Sequence, residues 1–169
     1  MSIVVREGEG ADWPAILALH RSVFRGSAEA ELLDALDTAG DMLLSMVAER
    51  DGVIVAHAGF SRITVTGDGK PLAAAQLAVV GVLPELQGRG IGAGLIDQAL
   101  AALEERGVAF AFVLGEPSFF EQFGFDAAIG RRFASPFAGD KWMGLMLGEQ
   151  KLPRRGAAEH PPAFALIGD

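Results

Sequence analysis

Residues 83–94 read LPELQGRGIGAG and set Gly88, Gly90, Gly92 and Gly94 at alternate positions, just ahead of a run with helical spacing. Glycine in a helix costs about 1 kcal/mol relative to alanine, so four of them there ask for a reason. The first backbone N–H groups of a helix have no partner within it and carry partial positive charge, which makes an anion site. Glycines let the loop turn tightly and let a bulky anion reach the main chain. The segment therefore suits a phosphate or pyrophosphate held mainly by main-chain amides, with Arg89 adding a charge. A P-loop is excluded because no lysine follows the glycines. A dinucleotide fingerprint has a formal match, Gly88-x-Gly90-x-x-Ala93, but PELQ separates it from the preceding strand, and hairpins rather than a βαβ unit come before it. A glycine-rich turn with no ligand is the remaining alternative.

Composition narrows the partners. The chain has 169 residues, half of them hydrophobic, and a formal charge of -8. That length suits one domain with its own core, here residues 1–169. A net negative surface argues against a general grip on nucleic-acid phosphates. There is no cysteine, which removes disulfides, thiolate metal sites and cysteine nucleophiles, and no metal site is expected. No stretch approaches the roughly 20 apolar residues of a membrane span, and the start, MSIVVREGEGADW, has no signal-peptide pattern. A cytoplasmic protein is the expectation.

The elements that must position the glycine loop can be read along the chain. IVVREG suits a strand, and Asp12 can cap a helix running to about His20, with Pro14 in its first turn. Ser27 can cap a second helix carrying Leu32, Leu33 and Leu36 on one side and ending near Gly40. MLLSMVAE and VIVAHAGFSRITVT are joined by Asp51-Gly52, a hairpin signal, and a second hairpin at GDGK leads into PLAAAQLAVVGVL. After the glycines, Ile91, Leu95, Ala99, Ala102 and Leu103 keep helical spacing up to Gly107. VAFAFVL suits a strand buried on both faces. Pro117 can start a short helix, FGFDAA and KWMGLML read as strands, and the tail from Lys151 reads as partly irregular. The class is α/β (α+β), mixed.

These motifs resemble the GNAT superfamily of N-acetyltransferases. Gln87-Gly88-Arg89-Gly90-Ile91-Gly92 is similar to its Q/R-x-x-G-x-G/A motif, and VLPELQGRGIG to the fuller V-x-P-x-x-Q-x-x-G-x-G. FRGSAEAELLDAL, HAGFS, VLGEPSFFEQFGF and HPPAF resemble the YhbS-like branch, and together they cover nearly the whole chain. The resemblance implies a GNAT fold: a mixed, mostly antiparallel central sheet flanked by helices, with a splayed strand pair holding CoA. It implies acetyl-CoA as cofactor, an amine of a small molecule or a protein as acceptor, direct transfer, and a possible homodimer. Val80, Gly81 and Val82 would bond the pantetheine amides through their main chain. Gln87, Gly88, Arg89, Gly90, Ile91, Gly92 and Ala93 would surround the pyrophosphate. Val80 and Val82 serve equally as core strand residues, and Gln87 equally as a turn cap.

The resemblance also shows what is missing. The family usually has a tyrosine four residues before its Gly-Phe pair to serve the leaving thiolate, and here that cofactor-facing position is Phe120. The chain has no tyrosine at all. Ser118 can substitute, directly or through water. The thiolate, with a reference pKa of about 8.5, can also leave unassisted. For the base, Glu116 follows the buried strand and His57 lies within an apolar one. Each has a structural alternative: a helix-start carboxylate for Glu116, a core histidine for His57, a helix N-terminal residue for Ser118. Glu29 and Glu31 on the second helix can bind a cationic acceptor or form a solvated face. Besides the N-acetyltransferase, two other functions stay open: a non-catalytic acyl-CoA-binding or regulatory module, motivated by Phe120, and an O-acyl or longer-acyl transferase on the same scaffold.

Overall fold

A computed structural model describes residues 2–167; Met1, Gly168 and Asp169, the ends of the expected domain, lie outside the described residues. In chain order the elements are β1 (Val4–Glu7), α1 (Trp13–Val23), α2 (Ala28–Thr38), β2 (Met42–Arg50), β3 (Val53–Arg62), β4 (Thr64–Gly67), β5 (Lys70–Leu72), β6 (Ala74–Val82), α3 (Ile91–Glu105), β7 (Phe110–Leu114), α4 (Pro117–Phe120), α5 (Ala127–Gly130), β8 (Phe133–Ala134), β9 (Trp142–Met146) and β10 (Gly156–Glu159). The chain sorts into two compact units, with β6 and α3 running through both.

The first unit takes residues 1–61, 78–99 and 163–169. Its strands lie in the order β1-β2-β3-β6, and β1, β2 and β3 pair antiparallel. Asp51 and Gly52 both have positive φ, 53° and 78°. That is what a two-residue hairpin turn needs to match the twist of its strands. Helix α2 buries Leu32, Leu33 and Leu36, the side that its spacing marked. Helix α1 buries Ile16, Leu19 and His20 and runs three residues past the expected end. Nothing in Arg21-Ser22-Val23 breaks a helix. Asp12 does not cap α1 with its side chain. Its carboxylate instead accepts from Arg6 at 2.7 and 2.8 Å and from the Glu9 N–H at 2.8 Å. Those bonds hold Asp12 down to about 2, Arg6 contributing most.

The second unit takes residues 62–77 and 100–162. Its strands run β6-β7-β9, with β6–β7 parallel and β7–β9 antiparallel, and a second sheet has the order β5-β4-β10-β8. That second sheet divides two runs that read as continuous strands, one at Ile63 and one at Ala73. It also recruits β10 from the tail that reads as irregular. FGFDAA is not a strand. Asp126 makes one isolated bridge to Gly144, then accepts from the Ala128 N–H at 2.7 Å and starts α5. The core gathers Phe110, Phe112, Phe133 and Trp142. Phe112 stacks on Trp142 with ring centres 5.0 Å apart, and the Trp142 indole N–H reaches the Phe133 carbonyl.

The architecture is mixed α/β with a mostly antiparallel sheet and helices. Among the described residues no helix is long and apolar enough to cross a membrane.

Candidate active site

The site begins where β6 loses a neighbour. The β6–β7 ladder pairs Ala74–Leu77 with Phe110–Val113 and goes no further among the described residues, although β6 continues to Val82. Strand residues alternate faces, and here Val79 and Gly81 are buried while Val80 and Val82 are half-buried. Val80 and Val82 face the first turn of α3: a Cβ built on Gly92 would meet their methyls at 3.8 and 3.4 Å. The backbone of residues 78–82 thus offers amide and carbonyl groups along an edge that β7 does not take.

The loop that follows is held against that strand. The Gln87 side chain donates to the Val82 carbonyl at 2.9 Å, so it serves as the turn tie that the sequence allowed. Gly88 and Gly90 have φ of 77° and 80°, and a Cβ on either would meet nothing within 4 Å. Their glycines are required by backbone conformation and leave open space around the main chain. The first helical bond of α3 runs from the Gly94 N–H to the Gly90 carbonyl at 3.0 Å. The amides of Ile91, Gly92 and Ala93 therefore have no carbonyl partner in the helix. Arg89 is exposed beside them. Free amides, a helix N-terminus and a cationic side chain fit a pyrophosphate.

The other candidates sit in different surroundings. His57 is fully buried in β3, with its ring nitrogens near His20 and Ser45. Glu31 accepts a bond from the Ser27 hydroxyl at 2.9 Å within the first turn of α2, and Glu29 is half-buried in the same turn. In the second unit, Glu116 precedes α4, and its carboxylate lies 3.6 Å from the Lys141 ammonium with both side chains 64% exposed. The strand that Glu116 follows is buried as its sequence implies, but it emerges into solvent at Leu114. Ser118 is exposed in the first turn of α4. Phe120 is buried, edge-on to Phe119 and Phe125, with its ring where a Cβ on Gly115 would stand.

Sequence reasoning did not single out His20, Ser45, Gln76, Ser135 or His160. His160 Nδ1 lies 2.7 Å from Gln76 Oε1 and its Nε2 lies 2.7 Å from Ser135 Oγ. One signal was visible for His20: it falls on the apolar stripe of α1 with Ile16 and Leu19, where an imidazole is out of place.

Comparisons with known proteins identify the family. The family profile described as "Acetyltransferase (GNAT) domain" matches residues 4–128. The uncharacterised N-acetyltransferase YhbS of Escherichia coli K12 is 34% identical over 118 residues, which is 69% of this chain and 70% of YhbS. The uncharacterised N-acetyltransferase YjhQ of the same strain is 32% identical over 133 residues, 78% of this chain and 68% of YjhQ. The crystal structure of Escherichia coli YhbS in complex with CoA superposes with a TM-score of 0.87 at 28% identity, covering 96% of this chain and 92% of that one. A GNAT-family acetyltransferase from Brucella melitensis, solved with acetyl-CoA, superposes with a TM-score of 0.79 at 30% identity, covering 96% of this chain and 98% of that one. With its free strand edge, its amide-lined glycine loop and these relatives, the chain belongs to the GNAT acetyltransferase family.

Proposed function

We propose that this chain is an acetyl-CoA-dependent N-acetyltransferase that moves the acetyl group directly from the thioester to an amine of a small molecule or a protein. The observation that carries this reading is the edge of β6 over residues 78–82, continued by the free amides at the start of α3. The strand edge suits an extended chain with amide groups, and the helix start suits a pyrophosphate. CoA has both parts, and two of the structural relatives were solved with CoA or acetyl-CoA. Val80, Gly81 and Val82 hold the pantetheine arm through their main chain. Residues 88–93 hold the pyrophosphate, and Gln87 keeps that loop on the strand. Glu29 and Glu31, in the first turn of α2, are the candidates for holding a cationic acceptor.

Two titrations and one assay test this. Calorimetry should show CoA binding and much weaker binding of pantetheine, which lacks the pyrophosphate. Gly90→Val should lose CoA affinity. It should also lose some stability, because a left-handed backbone costs a side chain about 1–2 kcal/mol. Equal affinity for CoA and pantetheine would remove the loop from the site. Thiol release from acetyl-CoA with a panel of primary amines then tests transfer. Phe120, which has no hydroxyl to give a leaving thiolate, favours a second reading as a non-catalytic acyl-CoA-binding module. CoA binding with no thiol release across the panel would select it.

A further inference from the structure

Two histidines share a hydrogen bond in the core of the first unit. His20 on α1 and His57 on β3 are both fully buried. His20 Nε2 lies 2.8 Å from His57 Nδ1, and His57 Nε2 lies 3.1 Å from Ser45 Oγ on β2. Phe24 stacks on the His20 ring, with centres 5.8 Å apart. Two glycines clear the space. A Cβ on Gly81 would stand 2.9 Å from Cε1 and Nδ1 of His20, and one on Gly59 would stand 2.9 Å from Cε1 of His57. The His20 ring therefore lies directly on the main chain of Gly81, in the segment of β6 whose edge is free. At the end of this chain, His20 Nδ1 is buried with no hydrogen-bond partner among the described residues.

An unmet buried nitrogen weakens the fold. The hydrogen-bond arithmetic shows what the open end can do. A neutral imidazole has one N–H and one lone pair. If His57 donates from Nε2 to Ser45 Oγ, it accepts at Nδ1 from His20 Nε2–H, and His20 Nδ1 is a bare lone pair. If Ser45 donates instead, every proton shifts and His20 Nδ1 carries the N–H. A hydroxyl can play both parts, so both polarities are available. Burial lowers His20 to about 4 and His57 to about 3, the latter helped by its neighbour, so both rings are neutral at pH 7. Ser45 also borders a pocket of about 220 Å³ with Glu7, Glu9, Trp13 and Asp37, where its proton can exchange with water.

We propose that His20 Nδ1 takes the proton from the attacking amine and passes it to the departing thiolate, with His57 and Ser45 as positioning residues that fix which nitrogen of His20 is bare. This rests on the N-acetyltransferase reading and on Val80, Gly81 and Val82 as its pantetheine strand. The amine lone pair forms the C–N bond to the thioester carbon. One N–H proton moves to His20 Nδ1, the C–S bond breaks, and the same proton moves to sulfur. The products are the acetylated amine and CoA thiol, and the imidazole chain returns to its starting state. The step needs no tyrosine, which suits a chain that has none. Phe24, half-exposed just after α1, covers the ring by stacking on it.

The test uses the full chain with histidine labelled by ¹⁵N. Three histidines, His20, His57 and His160, give three ring systems. Expected are a bare Nδ1 and a protonated Nε2 on His20, and a shift of that Nδ1 resonance when acetyl-CoA is added, with the His160 resonances unmoved. A proton on His20 Nδ1 in the free chain, or a resonance indifferent to acetyl-CoA, would overturn the proposal, and neither measurement needs a variant. His20→Asn should cut turnover about 10²- to 10⁴-fold while CoA affinity holds. Ser45→Ala should change the tautomer ratio in the same spectra. A folded His20→Asn with the parent's turnover overturns the role of His20 alone. A parent that binds CoA and releases no thiol with any amine overturns the transfer reading and this step together.

Discussion

Each unit of this molecule has a chain of polar side chains built around histidine, and the two end differently. In the second unit, Gln76 Oε1 accepts from His160 Nδ1–H, which leaves Nε2 to accept from the Ser135 hydroxyl. Ser135 Oγ in turn accepts from the Phe137 N–H at 3.0 Å. An amide oxygen cannot donate, so this chain has one polarity and both nitrogens of its ring are used. In the first unit the chain starts at a hydroxyl, which can point either way, and ends at the unmet Nδ1 of His20. Desolvation lowers both His160 and His20 to about 4, so the contrast is not one of basicity. It lies in satisfaction. A closed chain specifies a core, whereas an open one ends at a nitrogen whose hydrogen-bonding capacity is unused.

The largest consequence is in acid stability. The unfolded state binds protons on histidine near pH 6.5, while the folded state keeps His20 and His57 neutral to about 4 and 3. Above pH 6.5 both states are neutral and stability is full. As pH falls from there toward 4, only the unfolded chain takes up protons, so stability is lost. The loss attached to His20 alone is on the order of 3 kcal/mol. Denaturant melts at pH 7.5, 5.5 and 4.5 read it directly. His20→Phe should remove about one proton from the slope in that window. The half-exposed His160 should contribute less, because solvent screens it. Asp12, held down to about 2, loses its part in a separate, lower window. If His20→Phe melts with the parent's pH dependence, the two chains do not differ as described.

Next in size is the packing that the open chain demands. Gly81→Ala puts a methyl 2.9 Å from the His20 ring, and overpacking of that kind costs about 1–3 kcal/mol. The ring can be removed as well. His20→Ala with Gly81→Ala should be less unstable than the two single losses added together, since the methyl then enters the space left by the imidazole. Additive losses in that double-mutant cycle would mean that His20 and Gly81 do not press on each other.

Local chemistry made much of this legible in the sequence. Asp51-Gly52 announced a hairpin, Leu32, Leu33 and Leu36 announced the face of α2, and the glycines at 88 and 90 announced a loop that needs positive φ. The second sheet was not legible, because β10 and β4 pair across about 90 residues and Gly156-Ala157-Ala158-Glu159 has no alternating apolar pattern. Nor was the histidine chain. His20 and His57 are 37 residues apart, and Ser45 lies on yet another strand. His57 was visible as a lone strand histidine; its partners come from topology, which places α1 over β3 and β6 within one unit. Gly81 was assigned to main-chain work, and its second role, clearing an imidazole, follows only from what stands on its other side.

The smallest effect is expected at Glu116, which the sequence offers as a base at the end of a buried strand. In the structure it is 64% exposed and 3.6 Å from an equally exposed Lys141. Exposed pairs of this kind are worth about 0–1 kcal/mol. Glu116→Gln keeps the shape and removes the charge. It should leave the melting temperature and CoA affinity unchanged and lower turnover by less than about tenfold. Any loss should be uniform with pH rather than recovered at pH 9. That outcome, set beside a large loss in His20→Asn, would put the base in the buried chain. Restoration of Glu116→Gln activity at pH 9, with His20→Asn unaffected, would reverse the assignment and make the exposed carboxylate the group that frees the amine.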